Sequence, residues 1–220
     1  MNFTDIRPII KTVYEKNCFG DKFEVESDYL ETAFNDVDKL WRDNFDEIEK
    51  VKYLMIAEAP LWGKEEKYIY NLNYKKPSQF FYPSDLGFVL NRNIQSKKEL
   101  IAVFNEIGLV IIDISPFPLN QFDTSINYRK LSKNEYRELI RDIIPIYFEE
   151  KLNLIAEKKS SDIIVFFRYN RVKNTFQDLI SNVLIANNFI KHQNDIGEIA
   201  KQGGGIDRKK LGQIITERDL

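Results

Sequence analysis

Three short, nearly continuous apolar runs constrain most strongly what this chain can fold into. They occupy residues 51–57 (VKYLMIA), 109–114 (LVIIDI) and 162–167 (DIIVFF), and longer amphipathic patterns lie between them. Such runs are typical of strands buried on both faces of a parallel sheet. Because helical patterns separate the strands, we expect a three-layer α/β/α fold with a central, mainly parallel, four-stranded sheet and right-handed crossovers.

The apolar stripes and caps predict where the other elements lie. Residues 1–50 are expected to form an N-terminal helical pair, whose second helix spans about residues 28–49. A weaker fourth strand is expected at residues 189–192. A final helix is expected after the glycine run at residues 203–205.

Capping signals mark two further helices. Ser96 begins a capping box and Gly108 stands where that helix should end. A second capping box begins at Ser132 and opens a long helix in which Pro145 is expected to cause a kink.

Length and composition narrow the class of protein. The 220 residues, of which 43% are hydrophobic, favour a single domain over residues 1–220 rather than a disordered chain. The 32 basic and 34 acidic residues give a net charge of -2, which excludes a strongly basic nucleic-acid protein but not a local basic groove.

Residue types also guide the expectations about metals and location. One cysteine and one histidine provide no zinc-binding cluster, so we expect neither a metal nor an organic cofactor. No apolar segment approaches the roughly 18 residues of a membrane span, and the first residues do not resemble an export signal. We therefore expect a cytoplasmic protein without a membrane partner.

Ligands of open parallel sheets bind outside the carboxyl ends of the strands, so the loops after the three apolar runs are the places to look. Glu58 follows the first run and Asp113 lies at the end of the second. Four polar or basic residues follow the third run: Arg168, Asn170, Arg171 and Lys173.

Two motifs in these loops resemble those of a known family. The turn at residues 57–61 (AEAPL) is similar to a Gly-x-x-Pro-Gly turn, and an aromatic residue, Phe80 or Phe81, follows some twenty residues later. Residues 108–113 (GLVIID) are similar to a second motif, a glycine and an apolar strand before a base-reading Asn, with Asp113 in the Asn position. Over about residues 50–220 the chain thus resembles the uracil-DNA glycosylase superfamily.

The chain departs from the family pattern at several positions. Ala57 and Leu61 replace the two glycines of the turn, and Ala59 stands where some members have a water-activating Asp. No His-Pro-Ser motif occurs near the end of the sequence.

The resemblance implies a protein that binds a nucleobase or nucleic acid and hydrolyses the N-glycosidic bond of a damaged or deaminated base in DNA. Glu58 would position water or stabilise the cationic sugar, Asp113 would share the catalytic site and read the base edge, and Phe80 or Phe81 would stack on the base. The phosphate contacts would come from the group after the third strand, Arg168, Asn170, Arg171 and Lys173.

Each of these residues also has a structural interpretation. Glu58 could pair with a basic residue, Asp113 could cap the following turn, and the aromatic rings could belong to the core. The basic group could be a solvated face. Two other functions therefore stay open: a catalytically inactive nucleic-acid or protein-binding module on the same scaffold, and an enzyme acting on a nucleotide or phosphorylated metabolite.

Overall fold

A computed structural model describes residues 2–76, 79–120 and 122–216 of the chain. Along these residues the elements follow one another in this order: α1 (Phe3–Lys16), α2 (Gly20–Asp46), β1 (Val51–Ala57), α3 (Pro83–Leu90), α4 (Lys97–Ile107), β2 (Leu109–Asp113), α5 (Lys133–Ile143), a π-helical turn (Ile144–Phe148), α6 (Glu149–Lys158), β3 (Lys159–Phe167), α7 (Asn170–Ala186), a 3-10 turn (Gln193–Asp195), β4 (Gly197–Glu198) and α8 (Arg208–Thr216).

The four strands form one sheet in the order β2-β1-β3-β4, and every pairing is parallel. Helices α3, α4 and α8 pack together, whereas α5 packs against α1 and α7, and α1 packs against α2. The sheet between these helices confirms the predicted three-layer α/β/α fold. Within the described residues, no helix combines the length and the apolar character needed to cross a membrane.

The outer edge of β2 is covered by side chains rather than by another strand. The Trp41 indole donates a hydrogen bond to the Ile111 carbonyl oxygen (2.8 Å), and the Ile111 N–H donates to the Tyr70 hydroxyl (2.9 Å). Both backbone groups of this edge residue are therefore satisfied inside the molecule.

The capping signals lie where the sequence predicts them. Ser96 accepts a hydrogen bond from the Glu99 N–H, and Ser132 forms the complete capping box with Glu135. Gly108 ends α4 with a φ of 75°, and a Cβ atom there would lie 2.2 Å from the Lys50 carbonyl oxygen. Only glycine fits this left-handed position, where α4 turns directly into β2.

The long helix predicted after Ser132 is interrupted at the expected place. The turn that contains Pro145 is π-helical, because proline cannot donate the regular hydrogen bond, and α6 continues beyond it. This arrangement turns Lys151 of α6 inward, where its ammonium pairs with the Asp38 carboxylate (2.5 Å) and lies 3.7 Å from the centre of the Trp41 ring.

Several predicted boundaries were wrong. Strand β3 begins at Lys159 rather than at Asp162, and β2 ends at Asp113 rather than at Ile114. Helix α2 begins at Gly20 rather than near Asp28, because Phe23 and Ser27 continue its buried stripe upstream of the capping signature. The fourth strand lies at Gly197–Glu198 rather than at residues 189–192, and pairs with Phe166 and Phe167 of β3. Burial against β3 and α8, rather than local β propensity, selects the strand here.

Candidate functional site

A cleft of about 770 Å³ opens at the carboxyl end of the sheet. Loops that follow all four strands contribute to its walls, as expected for a ligand site of a parallel sheet. The residues that line it are Glu58, Ala59, Pro60, Leu61, Trp62, Phe80, Pro118, Leu119, Asn120, Tyr128, Tyr169, Asn170, Arg171, Glu198, Ala200, Lys201, Gln202, Gly203, Gly204 and Lys210.

Glu58 lies in the cleft and is held by two partners. Its carboxylate forms an ion pair with the Arg171 guanidinium through both oxygens, and the Tyr136 hydroxyl donates to it over 2.9 Å. The Glu58 side chain is largely buried, whereas that of Arg171 is exposed. The structure thus brings two of the predicted site residues together as a pair.

Asp113 lies beneath the cleft at the end of β2, beside Ala57 of β1. Its residue surface is only 4% exposed, and in the described part of the chain its carboxyl makes no side-chain hydrogen bond. Burial raises the pKa of Asp113 to about 7; Lys151 opposes this rise and the nearby Glu58 charge adds to it. At neutral pH, protonated and ionised forms of Asp113 therefore coexist.

The two candidate stacking residues have different surroundings. Phe80 is 7% exposed, lines the cleft and contacts the Tyr169 ring edge-on, with 6.1 Å between ring centres. Phe81 packs edge-on against Phe104 of α4, with 5.0 Å between ring centres, and lies in the core. Of this pair, Phe80 is the residue that a ligand in the cleft could reach.

A small pocket connects Phe80 with Asp113. It is lined by Ala59, Pro60, Leu61, Tyr68, Ile69, Phe80, Ile111 and Asp113, and its volume is about 10 Å³. Four of these residues, Ala59, Pro60, Leu61 and Phe80, also line the cleft. The pocket has room for about one water molecule, so a larger ligand could present only an edge to Asp113 unless Phe80 or the turn moved.

Arg168 supports the loops around the cleft and does not line the cleft itself. It is 1% exposed; its Nε donates to the Phe80 carbonyl oxygen (2.7 Å) and its Nη1 to that of Gly204 (3.2 Å). Because burial and these backbone partners hold the guanidinium, Arg168 links the loop that contains Phe80 to the glycine turn at residues 203–205. Its predicted role as a phosphate contact does not fit this position.

The remaining members of the basic group separate along α7. Asn170 and Arg171 form the first turn of α7 and line the cleft. Lys173 lies further along the same helix, outside the residues that line the cleft. Asn170 and Arg171 are therefore better placed than Lys173 to contact a ligand in the cleft.

A buried lysine orders the long aromatic connection between β1 and α3. The Lys97 ammonium donates to the carbonyl oxygens of Tyr68 (2.6 Å) and Asn71 (2.8 Å), and burial lowers its pKa to about 8. The loop therefore has an internal anchor at Tyr68 and Asn71.

Two structural features of the cleft were not predicted from the sequence. Asn120 donates to the carbonyl oxygens of Trp62 (3.3 Å) and Pro118 (3.1 Å), so it joins the loops after β1 and β2. Glu198 of β4 forms an ion pair with Lys210 inside the cleft wall. An Asn two residues after a proline was the one available signal for the first feature.

Among the described residues, no three His, Cys, Asp or Glu side chains come together as a group that could hold a metal ion. Comparison with protein-family models, with curated proteins and with solved structures gives no match to this chain.

Proposed function

We propose that this chain is a uracil-DNA-glycosylase-like protein that binds a nucleobase of DNA in the cleft, with the base edge directed at Asp113. The observation that supports this most is the Asp113 carboxyl. It is buried, accepts no hydrogen bond from a described side chain, and shares a small pocket with Phe80 and the 59–61 turn. A buried carboxyl without a hydrogen-bond partner is costly, and a ligand that hydrogen-bonds to it would offset that cost.

The protonation state of Asp113 determines which base edge it accepts. An ionised carboxylate only accepts hydrogen bonds and suits an exocyclic amino group. A protonated carboxyl both donates and accepts, and suits an adjacent N–H and carbonyl such as the N3 and O4 of uracil. Because the pKa of Asp113 is about 7, we expect base preference to change with pH near neutrality.

Hydrolysis would require Glu58 to act on water or on the cationic sugar. In the present arrangement both of its oxygens are engaged by Arg171, and Tyr136 donates to one of them. A substrate phosphate could compete for the exposed Arg171 guanidinium and so release the carboxylate. We therefore place hydrolysis after substrate binding, with Arg171 moving from Glu58 to phosphate.

A second candidate is a catalytically inactive nucleic-acid-binding module on the same scaffold. The Glu58–Arg171 ion pair favours it, because a carboxylate that stays paired cannot activate water. An enzyme acting on a nucleotide or phosphorylated metabolite is a further alternative. The cleft can accommodate either ligand, since small-molecule sites span about 300–1,000 Å³.

A base-release assay separates these functions. Single-stranded oligonucleotides that contain uracil, hypoxanthine or xanthine are incubated with protein and then treated with alkali, which cleaves abasic sites. We expect release by the wild type and by the exposed control variant Glu157→Gln, and a loss of about 100-fold or more in Glu58→Gln. Asp113→Asn should increase release of both uracil and hypoxanthine at pH 8, because the asparagine amide, unlike an ionised carboxylate, can donate to the carbonyl and accept from the adjacent N–H that each base presents.

The alternatives predict different results. DNA binding without release of any base would support the inactive module. The absence of both base release and DNA binding at low salt would contradict the nucleic-acid proposal and would favour the metabolite enzyme.

A further inference from the structure

A second cavity, of about 480 Å³, adjoins the cleft at the glycine turn. Lys201 lines both cavities, Gly203 and Gly204 line the cleft, and Gly205 lines the second cavity. Apart from each glycine's own chain neighbours, no heavy atom of the described residues lies within 4 Å of where a Cβ would stand on any of these three glycines. The turn therefore leaves the space between the two cavities open, so that a chain-like ligand could extend from one cavity into the other.

The second cavity has an excess of positive charge. Four cationic side chains, Arg168, Lys201, Arg208 and Lys209, line it together with two carboxylates, Asp85 and Asp207. Both carboxylates are already engaged.

Asp85 pairs with the Arg208 guanidinium (2.8 Å). Asp207 accepts hydrogen bonds from the backbone N–H groups of Lys209 (3.0 Å) and Lys210 (3.2 Å). Among the described residues, Lys201 and Lys209 are exposed and form no ion pair. These two ammonium groups are available to an anion that enters the cavity.

Exposed aromatic rings accompany these cations. Tyr82 lines the cavity and is 43% exposed. Phe88 is 69% exposed and lies under the Arg208 guanidinium, 5.1 Å from the ring centre. Cations interleaved with exposed aromatic faces are the pattern by which proteins bind single-stranded nucleic acids, since phosphates take the cations and bases stack on the rings.

We propose that this second cavity binds the nucleotide next to the base held in the cleft, as part of a single strand of DNA. The phosphate lies between Lys201 and Lys209, and its base stacks on Tyr82. This inference rests on the proposed function and narrows its substrate to single-stranded DNA. In a duplex the face of the neighbouring base is stacked within the helix and is closed to Tyr82.

Fluorescence anisotropy with a labelled twelve-nucleotide strand containing one central uracil tests the proposal. Tyr82→Ala should weaken binding at least about fivefold. Lys209→Gln should reduce the slope of log affinity against log salt by about 0.7, the value for one phosphate contact on a single strand. Lys98→Gln removes an exposed lysine that lines neither cavity, and should change neither quantity.

Four results overturn the inference. Equal affinity and salt slope in the wild type, Tyr82→Ala and Lys209→Gln would remove the second cavity from the binding site. Tighter binding of the matching duplex than of the single strand would contradict the strand preference. If affinity changes in Asp113→Asn but in neither Tyr82→Ala nor Lys209→Gln, this inference fails and the proposed function stands. If the wild type does not bind DNA even at low salt, both this inference and the proposed function are contradicted.

Discussion

Replacing Asp113 by asparagine should stabilise the protein at alkaline pH and flatten its pH dependence. Asparagine has nearly the same shape, but it cannot ionise. The wild-type carboxyl lies at the buried end of β2, where burial is the main cause of its raised pKa. Above neutral pH the folded wild type must keep a charge in this apolar position, whereas the variant need not.

The pKa of Asp113 sets the size of the effect. It rises from 3.8 to about 7 on folding, so the folded chain binds more protons than the unfolded chain between these values. The stability that protonation provides is full below about pH 3.8 and is lost as the pH rises through 7. Between pH 5 and pH 8 this one group should lower the free energy of unfolding by about 3 kcal/mol.

Urea unfolding of the wild type and Asp113→Asn at pH 5 and pH 8 measures this difference. The wild type should lose about 3 kcal/mol more than the variant over that range. Asp36→Asn, which replaces an exposed carboxylate on α2, is the matched control and should follow the wild type. If the wild type and Asp113→Asn show the same pH dependence, Asp113 titrates at an ordinary pKa and the argument from burial is refuted.

Three further substitutions test the packing that supports the cleft, each measured by urea unfolding. Gly108→Ala should cost about 2 kcal/mol or more, because a side chain at this φ is strained and its Cβ would meet the Lys50 carbonyl; a loss below about 0.5 kcal/mol would contradict this. Lys151→Met should cost about 1–3 kcal/mol, because Asp38 loses its buried partner and keeps only the half-exposed Arg42 (2.7 Å), and Lys151→Met with Asp38→Leu should recover most of the loss; equal losses in both variants would argue against the pairing. Arg168→Met should cost about 2 kcal/mol or more, since the buried Phe80 carbonyl loses its donor and the link to Gly204 is lost; unchanged stability would show that these two hydrogen bonds are dispensable.

The strands and caps were predictable because their signals are local. Strand β1 lies at the predicted residues, and Ser96, Gly108 and Ser132 cap the helices they were expected to cap. Apolar runs and capping residues act through neighbours in the sequence, so they can be recognised without the fold.

Features that depend on distant contacts were harder to predict. The position of β4 depends on its pairing with Phe166 and Phe167 of β3, which are about thirty residues away in the sequence. Likewise, Arg168 resembles an exposed phosphate contact in the sequence, yet the fold buries it under residues 36 or more positions away. Phe80 and Phe81 are adjacent in sequence, and tertiary packing alone decides which of them reaches the cleft.

The covered edge of β2 has a consequence for association between molecules. An apolar strand with free backbone groups at a sheet edge is a template on which other chains add strands and aggregate. At Ile111 the Trp41 indole and the Tyr70 hydroxyl occupy the positions that an added strand would use. Two aromatic residues from distant parts of the chain therefore block the addition of another strand to β2 at Ile111.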